Sequence, residues 1–202
     1  MDAEEFLRCV ANHEMTVLSD DGGVRRHLRF SKQGSRDQQF DLVTWPGHLC
    51  YTGDMGTYVF ERVNDMFQFF PCDTGELRIN PGYWGDKLLA ADRHGGYEEW
   101  SKDRFEQSLR ENLAYWLEDR PHWCEEDKQR GLEDFEDELT GWLELGAEHA
   151  YSEAARFEVG GFTPFEDLHE SPCMEFTHHY LWCCYAVVWG IGKYRSSTRE
   201  GE

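Results

Sequence analysis

Apolar and polar residues alternate through much of the first third of the chain. Further on they recur every three to four positions, so the pattern predicts strands first and helices second. Asp2 to Val10 predicts a short opening helix, with acids in its first turn and Phe6, Leu7 and Val10 on one side. The turn cluster SDDGG (Ser19 to Gly23) follows. His27 to Lys32 alternates as a half-buried strand does. Phe40 to Trp45 predicts a second strand, which stops at Pro46-Gly47 because proline cannot donate to a ladder. HLCYTG (His48 to Gly53) and TYVFER (Thr57 to Arg62) predict the third and fourth, joined by a tight DMG connection. Four strands on short turns make an antiparallel meander whose middle members read apolar because they are paired on both sides and covered on at least one face. Leu42, Val43, Leu49 and Val59 are its candidate buried residues.

From Asn64 the period changes. Asn64 to Phe70 predicts a short capped helix, Leu77 to Asn80 an edge strand, and Gly82 to Asp92 a helix through Leu88 and Leu89. Ser101 caps a helix over Lys102 to Asp119 with Phe105, Leu109, Leu113, Trp116 and Leu117 on one face and Pro121 beyond its end. The next helix runs from about Glu125 to Ala155, bent at Gly141 or Gly146. Its core stripe is Leu132, Phe135, Leu139, Trp142, Leu143, Gly146 and Ala150. Glu175 to Tyr194 is apolar nearly all round, which predicts a buried helix. The fold class expected is α+β in one domain over residues 1–202, sheet-rich to residue 80 and helical and acidic beyond it.

Charge changes this picture. The 202 residues carry 40 acids against 20 bases, a net of −20. Aromatics make up 15% of the chain, too many for a disordered acidic tail. The acid is concentrated: residues 98–175 hold 23 acids and 7 bases, a net of −16. Such a surface repels nucleic acid and anionic lipid and attracts basic protein surfaces. No apolar run is long enough to span a bilayer, and Met1 to Ala11 lacks the order of a signal peptide. Seven cysteines without regular spacing suit a reducing compartment, so a cytoplasmic location is expected.

The strongest candidate surface is the acidic helix. Glu125, Glu126, Asp127, Glu133, Asp134, Glu136, Asp137, Glu138, Glu144 and Glu148 face only Lys128 and Arg130. Glu133, Asp137, Glu144 and Glu148 would line one face of a continuous helix, where like charges one turn apart are mutually unfavourable. Lys128 to Glu148 would carry seven acids over roughly 30 Å at about 1.5 Å per residue. Duplex DNA offers one charge per about 1.7 Å of axis. One such helix falls below half that density, and a homodimer pairing two of them would approach it.

Other groups read as packing. His179 and Cys183 stand one helical turn apart, a spacing that chelates zinc only with two further ligands. Glu166/His169 and Glu175/His178 match Glu-x-x-His, but in one short stretch across Pro172 rather than on separate helices. Cys173 and Cys184 complete the group and read as small apolar residues. His48 and Cys50 share a strand face without an oxyanion donor or an orienting third group. No phosphate loop or basic stripe occurs. No metal and no cofactor are expected.

FDLVTWPGHLCYTGDMGTYVFERVNDMFQFF (residues 40–70), LRINPGYWGDKLLAADR (77–93) and HHYLWCCYAVVWGIGKY (178–194) together resemble a family of small uncharacterised acidic proteins encoded by bacteriophages and prophages. The resemblance implies a phage accessory protein in a bacterial cytoplasm. By analogy it implies a non-enzymatic inhibitor of host defence, of the anti-CRISPR kind, whose acidic surface imitates DNA in the basic groove of a nucleoprotein complex. An enzyme acting on a nucleotide signal through His48, Asp54 and Arg62 is the first alternative. A phage structural or regulatory protein whose acidity serves only solubility is the second.

Overall fold

The structure, a computed structural model, describes residues 1–71, 76–166, 168 and 173–199. Its elements in chain order are α1 (Ala3–Cys9), β1 (His13–Asp20), β2 (Arg26–Lys32), β3 (Phe40–Trp45), β4 (His48–Gly53) and β5 (Gly56–Glu61). A single 3-10 turn (Met66–Gln68) leads to α2 (Pro81–Gly85), β6 (Leu88–Ala90) and β7 (Glu98–Trp100). Then come α3 (Lys102–Glu118), α4 (Glu125–Leu143), α5 (Ala147–Ala154), β8 (Met174–Phe176) and α6 (His178–Arg199). The fold is α+β. The chain divides into two compact units, one of Met1–Glu99 with Phe176–Glu202, the other of Trp100–Glu175.

In the first unit an antiparallel sheet of six strands follows chain order from β1 to β6. Asp2 opens α1 by accepting the Glu5 backbone N–H at 2.8 Å, a side-chain cap that satisfies one orphan donor. Helix α6 supplies the buried slab. Tyr180, Trp182, Cys183, Cys184, Ala186, Val187 and Ile191 are all fully buried, as an all-round apolar helix requires. Gly190 lets it lie close to the sheet, since a Cβ there would stand 2.8 Å from a Leu42 methyl. Rings fill the interface: Phe30 stacks on Phe40 at 4.8 Å, and Trp182 meets Phe40 edge-on at 5.4 Å and Phe6 at 5.1 Å. Two of the buried tyrosine hydroxyls are satisfied inside. Tyr58 donates to the Gly96 carbonyl at 3.0 Å and Tyr180 to the Pro81 carbonyl at 2.8 Å.

The second unit is a helical cluster around its own core. Ser101 accepts the Arg104 N–H at 3.4 Å at the start of α3, whose Phe105, Leu109, Leu113 and Leu117 form the buried face. Phe135, Leu139 and Trp142 of α4 and Ala150 and Ala154 of α5 pack with them, together with Phe157, Val159 and Phe165.

Several local expectations are revised. The meander has six strands where four are legible in the pattern: β1 and β6 are the additions. Leu77 to Asn80 forms no strand, and Asn80 instead caps α2. That helix ends at Gly85, so Leu88 and Leu89 lie on β6 rather than in a helix. The helix expected over Asn64 to Phe70 shrinks to the 3-10 turn. Leu42 and Leu49 are fully buried, but Val43 and Val59 are only half-buried. Successive strand residues point to opposite faces, and these two valines occupy the face away from α6. The long acidic helix is two: α4 stops at Leu143 and α5 begins after Gly146. Leu132 of its expected core stripe is exposed, as is Gly146.

Candidate partner-binding surface on the acidic unit

The second unit contains 21 acids and 7 bases, a net of −14, while the larger first unit contains 19 acids and 13 bases, a net of −6. The reason the acids lie outside is the helical period. Positions 131, 135, 139 and 142 of α4 are buried, which leaves Glu125, Glu126, Asp127, Glu133, Asp134, Glu136, Asp137 and Glu138 exposed around the remaining face. Glu144 and Glu148 are exposed too, but they fall on the C-cap of α4 and the first turn of α5. The break between the helices therefore ends the single straight stripe that a continuous helix would have given Glu133, Asp137, Glu144 and Glu148.

Some of these carboxylates are used internally. Glu136 forms a bidentate pair with Arg110 of α3, and that hydrogen bonding holds its carboxyl below the usual range. Glu125 lies 3.5 Å from Lys128, Asp127 3.8 Å from Arg130, and Glu144 3.9 Å from Lys102, all on the surface where such pairs contribute little. Glu133 accepts from Gln129 at 3.0 Å. Glu126, Asp134, Asp137, Glu138 and Glu148 have no ion-pair partner among the described residues. Asp134, Asp137 and Glu138 turn toward Glu153 and Glu158 around a recess of 440 Å³ floored by Trp142 and Phe157, with Arg156 engaged by Glu153 at 2.7 Å. Among the described residues no group of three His, Cys, Asp or Glu side chains is placed to hold a metal ion.

A feature of this unit that pattern reading missed lies in the loop after α5. Phe162, 54% exposed, stands beside Trp116 and Trp123, and the three rings contact one another at centroid distances of 5.4 to 6.4 Å. The Arg120 guanidinium lies 3.6 Å above Trp116. Gly160-Gly161 was the available signal, since paired glycines between apolar residues mark a two-residue hairpin.

The first unit assembles no reactive centre from His48, Asp54 and Arg62. His48 opens β4 and pairs in register with Glu61, whereas Asp54 follows the far end of the same strand, so the three are not brought together. Asp54 instead accepts the Gln38 N–H at 3.0 Å. The His48 ring is held by the Pro46 carbonyl at 2.9 Å and by stacking on Trp45. Burial pushes the Cys50 thiol up, opposite to what an activated nucleophile needs. Cys183 and Cys184 are fully buried while His178 and His179 are exposed, so His179 and Cys183 do not share an accessible face. His169 lies outside the described residues. The polar group that does assemble is Asp41, only 7% exposed, which accepts two hydrogen bonds from Arg29 and one from His27, each 2.8 Å.

No helix among the described residues is long and apolar enough to cross a membrane. Compared with family models, with curated proteins and with solved structures, the chain matches none.

Proposed function

We propose that the protein is a non-enzymatic inhibitor that binds the basic, nucleic-acid-holding groove of a protein complex through its acidic unit. On the phage setting that the sequence resemblance implies, that complex belongs to a bacterial defence system, most directly a CRISPR effector in the host cytoplasm. The observation that carries the reading is the segregation of charge. Asp134, Asp137 and Glu138 crowd one exposed face of α4 without cationic partners, although like charges a turn apart oppose helix formation. A surface kept at that cost is explained by a basic partner. Long-range attraction raises the rate of encounter, and contacts at close range fix the register.

The test is the quadruple replacement of Glu133, Asp137, Glu144 and Glu148 by Lys, which reverses four charges. Protein immobilised from this variant and from the unmutated chain is exposed to bacterial lysate at about 50 and 200 mM salt, a range over which phosphate-like recognition weakens steeply. A nucleoprotein retained by the unmutated chain at low salt, released at high salt and lost from the variant supports the reading. Retention by the folded variant with unchanged affinity overturns it.

A further inference from the structure

The geometry around Phe162 points to a specific anchor within this surface: we propose that the recess bounded by Trp123, Phe162, Asp127 and Asp134 receives one arginine side chain from the basic protein partner. The proposal rests on the reading of the acidic unit as the partner-binding half, and deepens it by naming the group recognised.

The recess is built on a rigid turn. Val159 and Phe162 exchange backbone hydrogen bonds, the Val159 N–H donating at 2.8 Å and the Phe162 N–H at 3.2 Å. Between them Gly160 and Gly161 have φ of 59° and 82°, the pair of positive values that a type I′ turn requires. The turn sits down closely on its neighbours. A Cβ at Gly160 would lie 2.5 Å from the Trp123 ring, and a Cβ at Gly131 of α4 would lie 2.5 Å from a Val159 methyl. The result holds the Phe162 ring outward between two hollows.

One hollow already contains a guanidinium. Arg120 covers the Trp116 face at 3.6 Å, reaches within 5.8 Å of the Phe162 ring, and donates to the Trp116 carbonyl at 2.9 Å. The second hollow, 330 Å³ in volume, repeats the arrangement on the other side of Phe162, with Trp123 in the place of Trp116. It differs in having two carboxylates, Asp127 and Asp134, where the first has Glu166 alone, and in having no guanidinium stacked on its tryptophan among the described contacts. Arg130 also lines it, 71% exposed and 3.8 Å from Asp127, but is stacked on neither ring among the described contacts. A planar guanidinium fits this setting better than an ammonium, because it stacks on ring faces while its edge donates to carboxylates. Phosphates and carboxylate ligands are excluded by charge. A buried aromatic or arginine contact ringed by polar groups is also the usual composition of an interface hot spot.

The test uses a blocked arginine amide as probe, with a blocked lysine amide beside it. Both are titrated into the full chain while the Gly131, Gly160 and Gly161 amides and the Trp123 indole N–H are followed by NMR. The arginine probe should saturate these signals with a dissociation constant on the order of millimolar, as befits a single side chain. Phe162→Ala and Asp134→Asn, both at exposed positions, should each weaken it at least about fivefold. Arg130→Ala should tighten it, and lysine should bind more weakly than arginine. Non-saturating shifts spread over all the acidic helices, equal for both probes and indifferent to Phe162→Ala, would overturn the anchor. That result leaves the charge-reversal experiment free to succeed. Conversely, a pocket that binds arginine in a chain that retains no salt-sensitive partner would remove the functional reading and leave the pocket standing.

Discussion

The two units of this chain use charge in opposite ways. In the first, charged groups serve the fold: Arg26 meets Asp65 at 2.9 Å and lies 4.6 Å over the Phe67 ring, and Asp41 is enclosed by Arg29 and His27. Each of these acids is matched by a cation, and the sheet is sealed by a helix with hardly a polar side chain on its buried part. In the second unit the core is equally aromatic, with Phe135, Trp142, Phe157 and Phe165 in contact, yet the carboxylates around it outnumber bases threefold. A sealed interior therefore does not explain the acidity. Where charge supports structure, it is paired and half-buried; where it is abundant, it is exposed and largely unpaired. The surface of the second unit is thus the part of the molecule on which the proposed recognition rests.

The comparison breaks most visibly in the first core. Leu42→Ala removes a fully buried side chain against α6 and should cost about 2–5 kcal/mol. Val43→Ala, one residue on and on the other face of β3, should cost markedly less. Equal losses in denaturant melts would mean that both faces of the sheet are sealed.

A middle-sized effect is expected at the hairpin of the second unit. Gly160→Ala forces a side chain into left-handed backbone and toward the Trp123 ring, and should destabilise by about 1–3 kcal/mol. Gly161→Ala meets open space and should show only the backbone part. The difference between the two melts measures how firmly the turn is seated, and no difference would mean that Trp123 simply moves aside.

How much of this was legible in the sequence follows the same division. Strands β3 to β5 could be read because their alternation is strict and their turns carry Pro, Gly and Asp-Met-Gly. Helix α6 could be read because it is apolar on every side. Strand β1 could not: it is an edge strand whose residues from Thr16 to Asp20 are all exposed or nearly so, and HEMTVLSD carries no clear face to detect. Strand β6 is three residues, and LLA reads equally as helix. The acids were legible as charge and Gly146 as a bend, but the pattern showed one bent helix where the structure has two, α4 ending at Leu143 and α5 starting after Gly146. Of the recess at Phe162 the paired glycines could signal the turn but not the ring it meets. Trp123 and Phe162 stand far apart in the chain and meet only through tertiary packing, with Asp127 and Asp134 between them on α4.

A smaller effect should appear with acid. Burial raises the Asp41 carboxyl, but hydrogen bonds from Arg29 and then His27 outweigh it and leave it below its ordinary value. A carboxyl depressed in the folded state contributes stability above its unfolded pKa of about 3.9, and loses it as pH falls through the lower folded value. The protection of β2 and β3 amides from exchange, relative to their intrinsic rates, should therefore fall below about pH 4. In Asp41→Asn that acid dependence should be blunted and stability at neutral pH reduced. An unchanged acid limb would show that the enclosed pair is not linked to folding of the sheet.

The smallest expected change is in the stability of the quadruple Lys variant, and its smallness is what sharpens the comparison. Four exposed acids are replaced. What they give up is the Gln129 to Glu133 hydrogen bond and the 3.9 Å contact between Lys102 and Glu144, both on the surface. Exposed pairs of this kind are worth about 0.2–1 kcal/mol at most. Against that loss, the lysine introduced at position 137 would stand one turn from Asp134, and the one at position 133 one turn from Glu136. Each exchange turns repulsion into attraction by a few tenths of a kcal/mol. Positions 133 and 137 remain a like-charged pair in either protein, so that repulsion is unchanged. The gains and losses should cancel to within about 0.5 kcal/mol. Raising salt should then separate the proteins. At about 1 M the Debye length is about 3 Å, so the unmutated chain should gain from screening of its crowded carboxylates while the variant gains less. Melts that instead show the variant losing several kcal/mol at every salt concentration would place these acids in the architecture of the second unit, and the surface would no longer be free for a partner.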